Sequence, residues 1–90
     1  MVSFKGQINN NKVVLQWEVD ENETIYQFEV EKSTDGKNFA LAALVFSTDK
    51  TANDNYMFFE KAGAEKATYR IKMIDKNGKA SYSSVLTLTQ

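Results

Sequence analysis

Residues 69–84 read YRIKMIDKNGKASYSS, and this stretch decides the fold class. Tyr69, Ile71 and Met73 alternate with Arg70 and Lys72, the two-residue period of a strand with one face buried and one face wet. Asn77-Gly78 follows, a dipeptide suited to a tight turn whose backbone takes positive φ. A second strand then runs through Tyr82, Val85, Leu86 and Leu88. The pair predicts an antiparallel hairpin, and with it an all-β domain.

Working outward, five more strand segments precede the hairpin, separated by polar turns at short, even spacing, a pattern that favours a sandwich or a barrel. Residues 2–8 form the first, with Phe4 as inward anchor, and Asn9, Asn10 and Asn11 turn the chain. Residues 12–19 place Val13, Leu15, Trp17 and Val19 on one face and Gln16 and Glu18 on the other. After an acidic loop at 20–24, residues 25–33 are predicted to turn Tyr26, Phe28 and Val30 inward and Gln27, Glu29 and Glu31 outward, before a turn at Asp35-Gly36. Residues 39–47 contain LAALVF, which does not alternate, and three alanines; a strand with a bulge or an edge position accounts for it. A polar loop covers 48–53. In residues 55–60, Tyr56 and Phe58 share one face and Met57 and Phe59 the other, so a large side chain is left exposed or covered by a loop. The one helix-like string, AGAEKA at 62–67, is too short to stand alone.

Two patterns bear on how these strands assemble. Glu29 and Glu31 on the third strand, and Arg70 and Lys72 on the sixth, would face each other with opposite charge if the strands are neighbours, each pair worth roughly 0.2–1 kcal/mol; the alternative is two separately solvated faces. Proline is absent, so charge or bulges must guard the sheet edges.

Ninety residues make one domain, spanning 1–90, and folding buries roughly 60–70% of the surface exposed by an unfolded chain of this size. One tryptophan, four tyrosines and six phenylalanines must supply much of the core. With no cysteine there is no disulfide and no thiolate metal site, and with no histidine the usual neutral-pH base and commonest metal ligand are gone. The net charge of −1, without a basic stripe or polybasic cluster, argues against nucleic acid and anionic lipid as partners. No apolar run reaches the roughly 18–20 residues of a membrane-spanning helix. Met1 leads directly into strand-like sequence without a signal peptide, and the chain starts and ends in strand; the expectation is a monomeric module excised from a longer protein.

Catalytic, cofactor-binding and metal-binding residues are all expected to be none. Asp20, Glu21 and Glu23 cluster in one short loop rather than across a cleft, as paired-carboxylate chemistry requires. Ser81, Ser83 and Ser84 lack a histidine base and read as polar strand positions. Calcium needs six to eight oxygens, and neither the 20–24 loop nor the loop flanked by Asp49 and Asp54 carries a spaced ligand motif. Asn22-Glu23-Thr24 matches the acceptor pattern for N-glycosylation, a triplet short enough to arise by chance. Tyr82, Phe59 and Phe46 are the candidates for a sugar-stacking surface, set against the commoner role of strand aromatics as core.

Trp17 in LQW, YQFEVEKS on the third strand and YRIKMIDKNGKASYS at the end together resemble a fibronectin type III domain. The order W…FEVEKSTDGKNF…YRIKMIDKNGKASYSSVLTL is similar to the fibronectin type III-like modules of secreted multidomain proteins of Bacteroidetes, over nearly the whole chain. The first strand lacks the proline, and the position before the tyrosine the leucine, usual in such domains. The resemblance implies a seven-stranded, two-sheet, immunoglobulin-like Greek-key sandwich, strands A, B and E against C, C′, F and G. It places Trp17 at the core centre near Tyr26, Phe28, Ile71 and Met73, and makes Tyr69 a tyrosine corner bonded to backbone within 61–66. It implies a noncatalytic spacer, scaffold or adhesion module of a secreted or cell-surface protein, in contact with neighbouring domains of the same chain. The alternatives are a carbohydrate-binding accessory module and a protein-docking domain that uses an edge strand.

Overall fold

In a computed structural model of the chain, which describes residues 1–89, the alternating strands sort into two antiparallel sheets. The strands are β1 (Ser3–Asn9), β2 (Lys12–Val19), β3 (Ile25–Ser33), β4 (Ala40–Phe46), β5 (Asp54–Lys61), β6 (Ala67–Asp75), β7 (Ala80–Tyr82) and β8 (Leu86–Leu88), with a single 3₁₀ turn at Asn22–Thr24. One sheet runs β1-β2-β5; the other runs β4-β3-β6-β7, with β8 also paired to β6. Between them Leu15, Trp17 and Val19 of β2 meet Phe28 and Val30 of β3 and Tyr69 and Ile71 of β6, all essentially out of solvent. The molecule is a β-sandwich.

Trp17 sits at the centre, edge-on to Phe28 at 5.6 Å and stacked on Tyr56 at 5.8 Å between ring centroids. Its buried Nε1 has no hydrogen-bond acceptor among the described residues. Tyr26, expected inward beside it, is 55% exposed. The reason is a bulge: against β6, Ile25 pairs with Asp75 and Gln27 with Ile74, which leaves Tyr26 as the extra residue. One extra residue reverses the facing of what precedes it, so Ile25 enters the core and Tyr26 packs outside, edge-on to Phe46 at 6.2 Å.

The hairpin of β6 and β7 turns where Asn77-Gly78 predicts. Gly78 takes φ 83°; its N–H donates to Asp75 O at 2.9 Å, and Asp75 N–H donates to Lys79 O at 3.0 Å. The Asp75 carboxylate also accepts from the N–H groups of Asn77 and Lys79, each at 2.9 Å. The returning strand, expected as one piece, is split. Ser83 N–H donates to Ile71 O at 2.9 Å, but the Ile71 N–H donates to the Ser83 hydroxyl at 2.8 Å. A side chain has taken the acceptor place of a backbone carbonyl, and the chain resumes as β8 one residue out of register. That shift carries Leu86 and Leu88 over Gly6 of β1, where a Cβ would lie 2.8 Å from Leu15 and 3.2 Å from Leu86.

The expected facing of opposite charges is present: Glu29 lies opposite Lys72 and Glu31 opposite Arg70 across β3 and β6; Arg70 Nε donates to Glu31 at 2.6 Å, while Glu29 accepts from the Gln27 amide at 3.0 Å. The tyrosine corner differs from expectation. β5 continues through Lys61, so the Tyr69 hydroxyl meets the Glu60 carboxylate at 2.6 Å rather than backbone within 61–66. Lys32 Nζ reaches the same oxygen at 3.0 Å. Burial, together with the hydrogen bond to Glu60 and its charge, pushes the Tyr69 hydroxyl above its ordinary pKa.

Candidate functional site

The two acidic loops lie side by side at one end of the sandwich, joined by Asn22, a residue whose structural weight the sequence does not reveal. Asn22 is fully buried. Its Nδ2 donates to Lys50 O at 2.8 Å and to the Thr48 hydroxyl at 3.2 Å, its Oδ1 accepts from the Tyr56 hydroxyl at 2.5 Å, and its N–H donates to Ala52 O at 2.9 Å. The glycosylation triplet therefore has its acceptor nitrogen occupied inside the fold. The surrounding carboxylates are spent singly: Asp54 accepts from the Thr48 hydroxyl and from Asn55 N–H, Glu23 accepts from Ala52 N–H at 3.3 Å, and Asp49 pairs with Lys76 at 3.1 Å. The Thr48 and Asn55 bonds hold the Asp54 carboxyl below its ordinary pKa. Among the described residues no three acidic side chains, Asp20 and Glu21 included, converge on one point.

The three stacking candidates are all exposed, Phe46 by 63%, Phe59 by 60% and Tyr82 by 53%, but they do not make one surface. Phe59 pairs with Val14 on the outer face of the first sheet. Phe46 and Tyr82 lie on the outer face of the second sheet, on strands at opposite edges and two residues apart along them, about 16 Å apart from three inter-strand spacings and two residue rises. Tyr82 is already engaged: the Arg70 guanidinium lies between it and Phe39, 4.4 Å and 4.0 Å from the ring centroids. This cation–π stack sits on the Glu31–Arg70 pair and balances its own charge. A crevice of about 390 Å³ opens between β1 and β7, bordered by Val2, Phe4, Met73 and Ser81. No lysine or carboxylate lines it to accept a serine proton.

What distinguishes the surface is an edge. β5 carries Asp54, Glu60 and Lys61, β1 carries Lys5, and β7 and β8 are three residues each; charge and brevity are the usual guards of a sheet edge. β4 has neither. It is seven residues, ALAALVF, with no charge, glycine or proline, and it pairs with β3 alone. Half of its N–H and C=O groups therefore point away from the sheet. Ala43 and Val45 pack on the core, while Leu41, Leu44 and Phe46 share the outer face and stay 59%, 43% and 63% exposed. The only interruption is a register shift opposite Val30 and Glu31, which leaves Ala42 unpaired. The missing alternation of residues 39–47 was the sequence signal for this position; the strand itself begins at Ala40, and Phe39 instead covers Arg70.

No family model matches the chain, and no curated protein is similar to it in sequence. No helix among the described residues is long and apolar enough to cross a membrane.

Proposed function

We propose that the chain is a noncatalytic contact module of fibronectin type III type, set within a larger secreted or cell-surface protein, and that it engages protein by adding a strand at β4. The Greek-key assignment is supported by strand order: β1-β2-β5 against β4-β3-β6-β7 matches the A-B-E and C′-C-F-G sheets that the sequence resemblance implies. The observation that carries the functional reading is the uncharged, seven-residue free edge of β4 flanked by exposed Leu41, Leu44 and Phe46. Such an edge offers backbone hydrogen bonds for affinity and alternate side chains for selectivity. A pure spacer has no need of it. The carbohydrate-module reading draws on exposed aromatics, but Phe46, Phe59 and Tyr82 are divided between two faces, and Tyr82 is stacked on Arg70.

Selection of a random peptide library on the immobilised domain tests the reading. Extended, apolar peptides should be enriched, and their binding should fall at least tenfold on Leu44→Lys while Tyr82→Ala leaves it unchanged. Enrichment of nothing, or of peptides indifferent to Leu44→Lys, counts against it. Retention on a glycan array that vanishes with Tyr82→Ala would put the carbohydrate reading first.

A further inference from the structure

Resting on the reading of β4 as a contact edge, we infer that its partner is a second copy of this chain, paired antiparallel through β4 about a two-fold axis at Leu44. Only a residue can sit on the axis of an antiparallel strand pair, and directly opposed residues must share a face. With Leu44 on the axis, Phe46 of each copy lies opposite Ala42 of the other, and Val45 lies opposite Ala43. Within the strand the pairing is thus self-complementary in size: at the two positions beside the axis a large side chain meets a small one, and on the axis two leucines meet. The register also uses the bulge, because Ala42, unpaired with β3, is the small residue that receives Phe46. Centring on Ala43 instead would oppose Leu41, which pairs with outward Glu31, to Val45, which pairs with inward Phe28, and so would match opposite faces.

Charge permits the same pairing. The strand has none. The segment leading in carries Asp35 and Lys37 and the segment leading out carries Asp49 and Lys50, one of each sign at either end, so a two-fold pair sets no like-charge clusters against each other. The net charge of −1 per chain adds little long-range repulsion. Joining the edges makes one continuous sheet across both copies and removes from solvent the one long edge that no charge protects. This departs from the monomer expected from sequence.

Sedimentation equilibrium of the whole chain, followed from micromolar to millimolar concentration, reads the association directly. Wild type should rise from 10.2 kDa toward twice that mass. Leu44→Lys and Leu44→Glu, each folded by far-ultraviolet circular dichroism, should each stay at monomer mass, because like charges meet on the axis. An equimolar mixture of the two should recover the dimer. A wild type that stays monomeric to millimolar concentration, or a mixture that stays monomeric, overturns the inference. If the wild type is monomeric yet still selects peptides lost on Leu44→Lys, the contact edge stands and only the identity of its partner falls; if both fail, the edge reading falls too.

Discussion

Asn22 shows how one polar side chain can organise a surface without doing chemistry there. It is buried, and its side chain satisfies the carbonyl of Lys50 and the hydroxyl of Tyr56 at once. Removing it leaves those groups partly desolvated and without partners, which costs about 1–3 kcal/mol in comparable cases. Asn22→Ala should therefore lower the urea-unfolding free energy by that amount, although the residue sits in a loop where most substitutions are nearly neutral. A variant as stable as wild type would show that the loop at 47–53 holds itself. The partners of Asn22 lie 26 to 34 residues away in the chain, so local pattern does not disclose the role. The same holds for Tyr69: its burial follows from alternation, but its acceptor, Glu60, depends on how far β5 continues.

At the scale of elements, strands were legible wherever one face is wet. Lys12–Val19 and Ile25–Ser33 occupy the residues their alternation predicts. The errors are all single-residue events. The bulge at Tyr26 reversed one aromatic, and the Ser83 hydroxyl standing in for a carbonyl divided the last strand; neither alters composition or period enough to be read. Turns were more legible, because their chemistry is local. The turn after β3 is built on Asp35, whose carboxylate accepts from the N–H groups of Asn38 and Lys37, the Asn38 amide and the Ser33 hydroxyl at 2.8–2.9 Å. In that order these bonds hold the carboxyl far below its ordinary value of 3.8. A depressed folded pKa means that the stabilisation is complete above the unfolded carboxyl's range and is lost as pH falls through and below it. Asp35→Asn should thus be less stable than wild type near neutrality, and the gap should narrow as pH drops from about 5 to about 2. Urea midpoints across that range provide the check; a constant gap would assign the loss to packing instead of charge.

Across the whole molecule, the two-sheet plan follows from two hydrophobic faces that must bury each other. The sequence named most of those residues, including Trp17, Phe28 and Ile71. The candidate site was only half legible. Residues 39–47 stood out because they do not alternate, yet whether that meant a bulge or an edge depended on which strand lies beside β4 and which does not. The fold answers with both, and with an edge that charge does not guard. The central claim is that this edge pairs with its own copy, and residue-resolved amide hydrogen exchange at micromolar and millimolar concentration tests it most directly. Protection gained on concentration should be confined to residues 42–46, about Leu44, with β5 and the Tyr82 side of the second sheet unchanged. Protection appearing instead around Phe59 or Tyr82, or nowhere, would contradict the account.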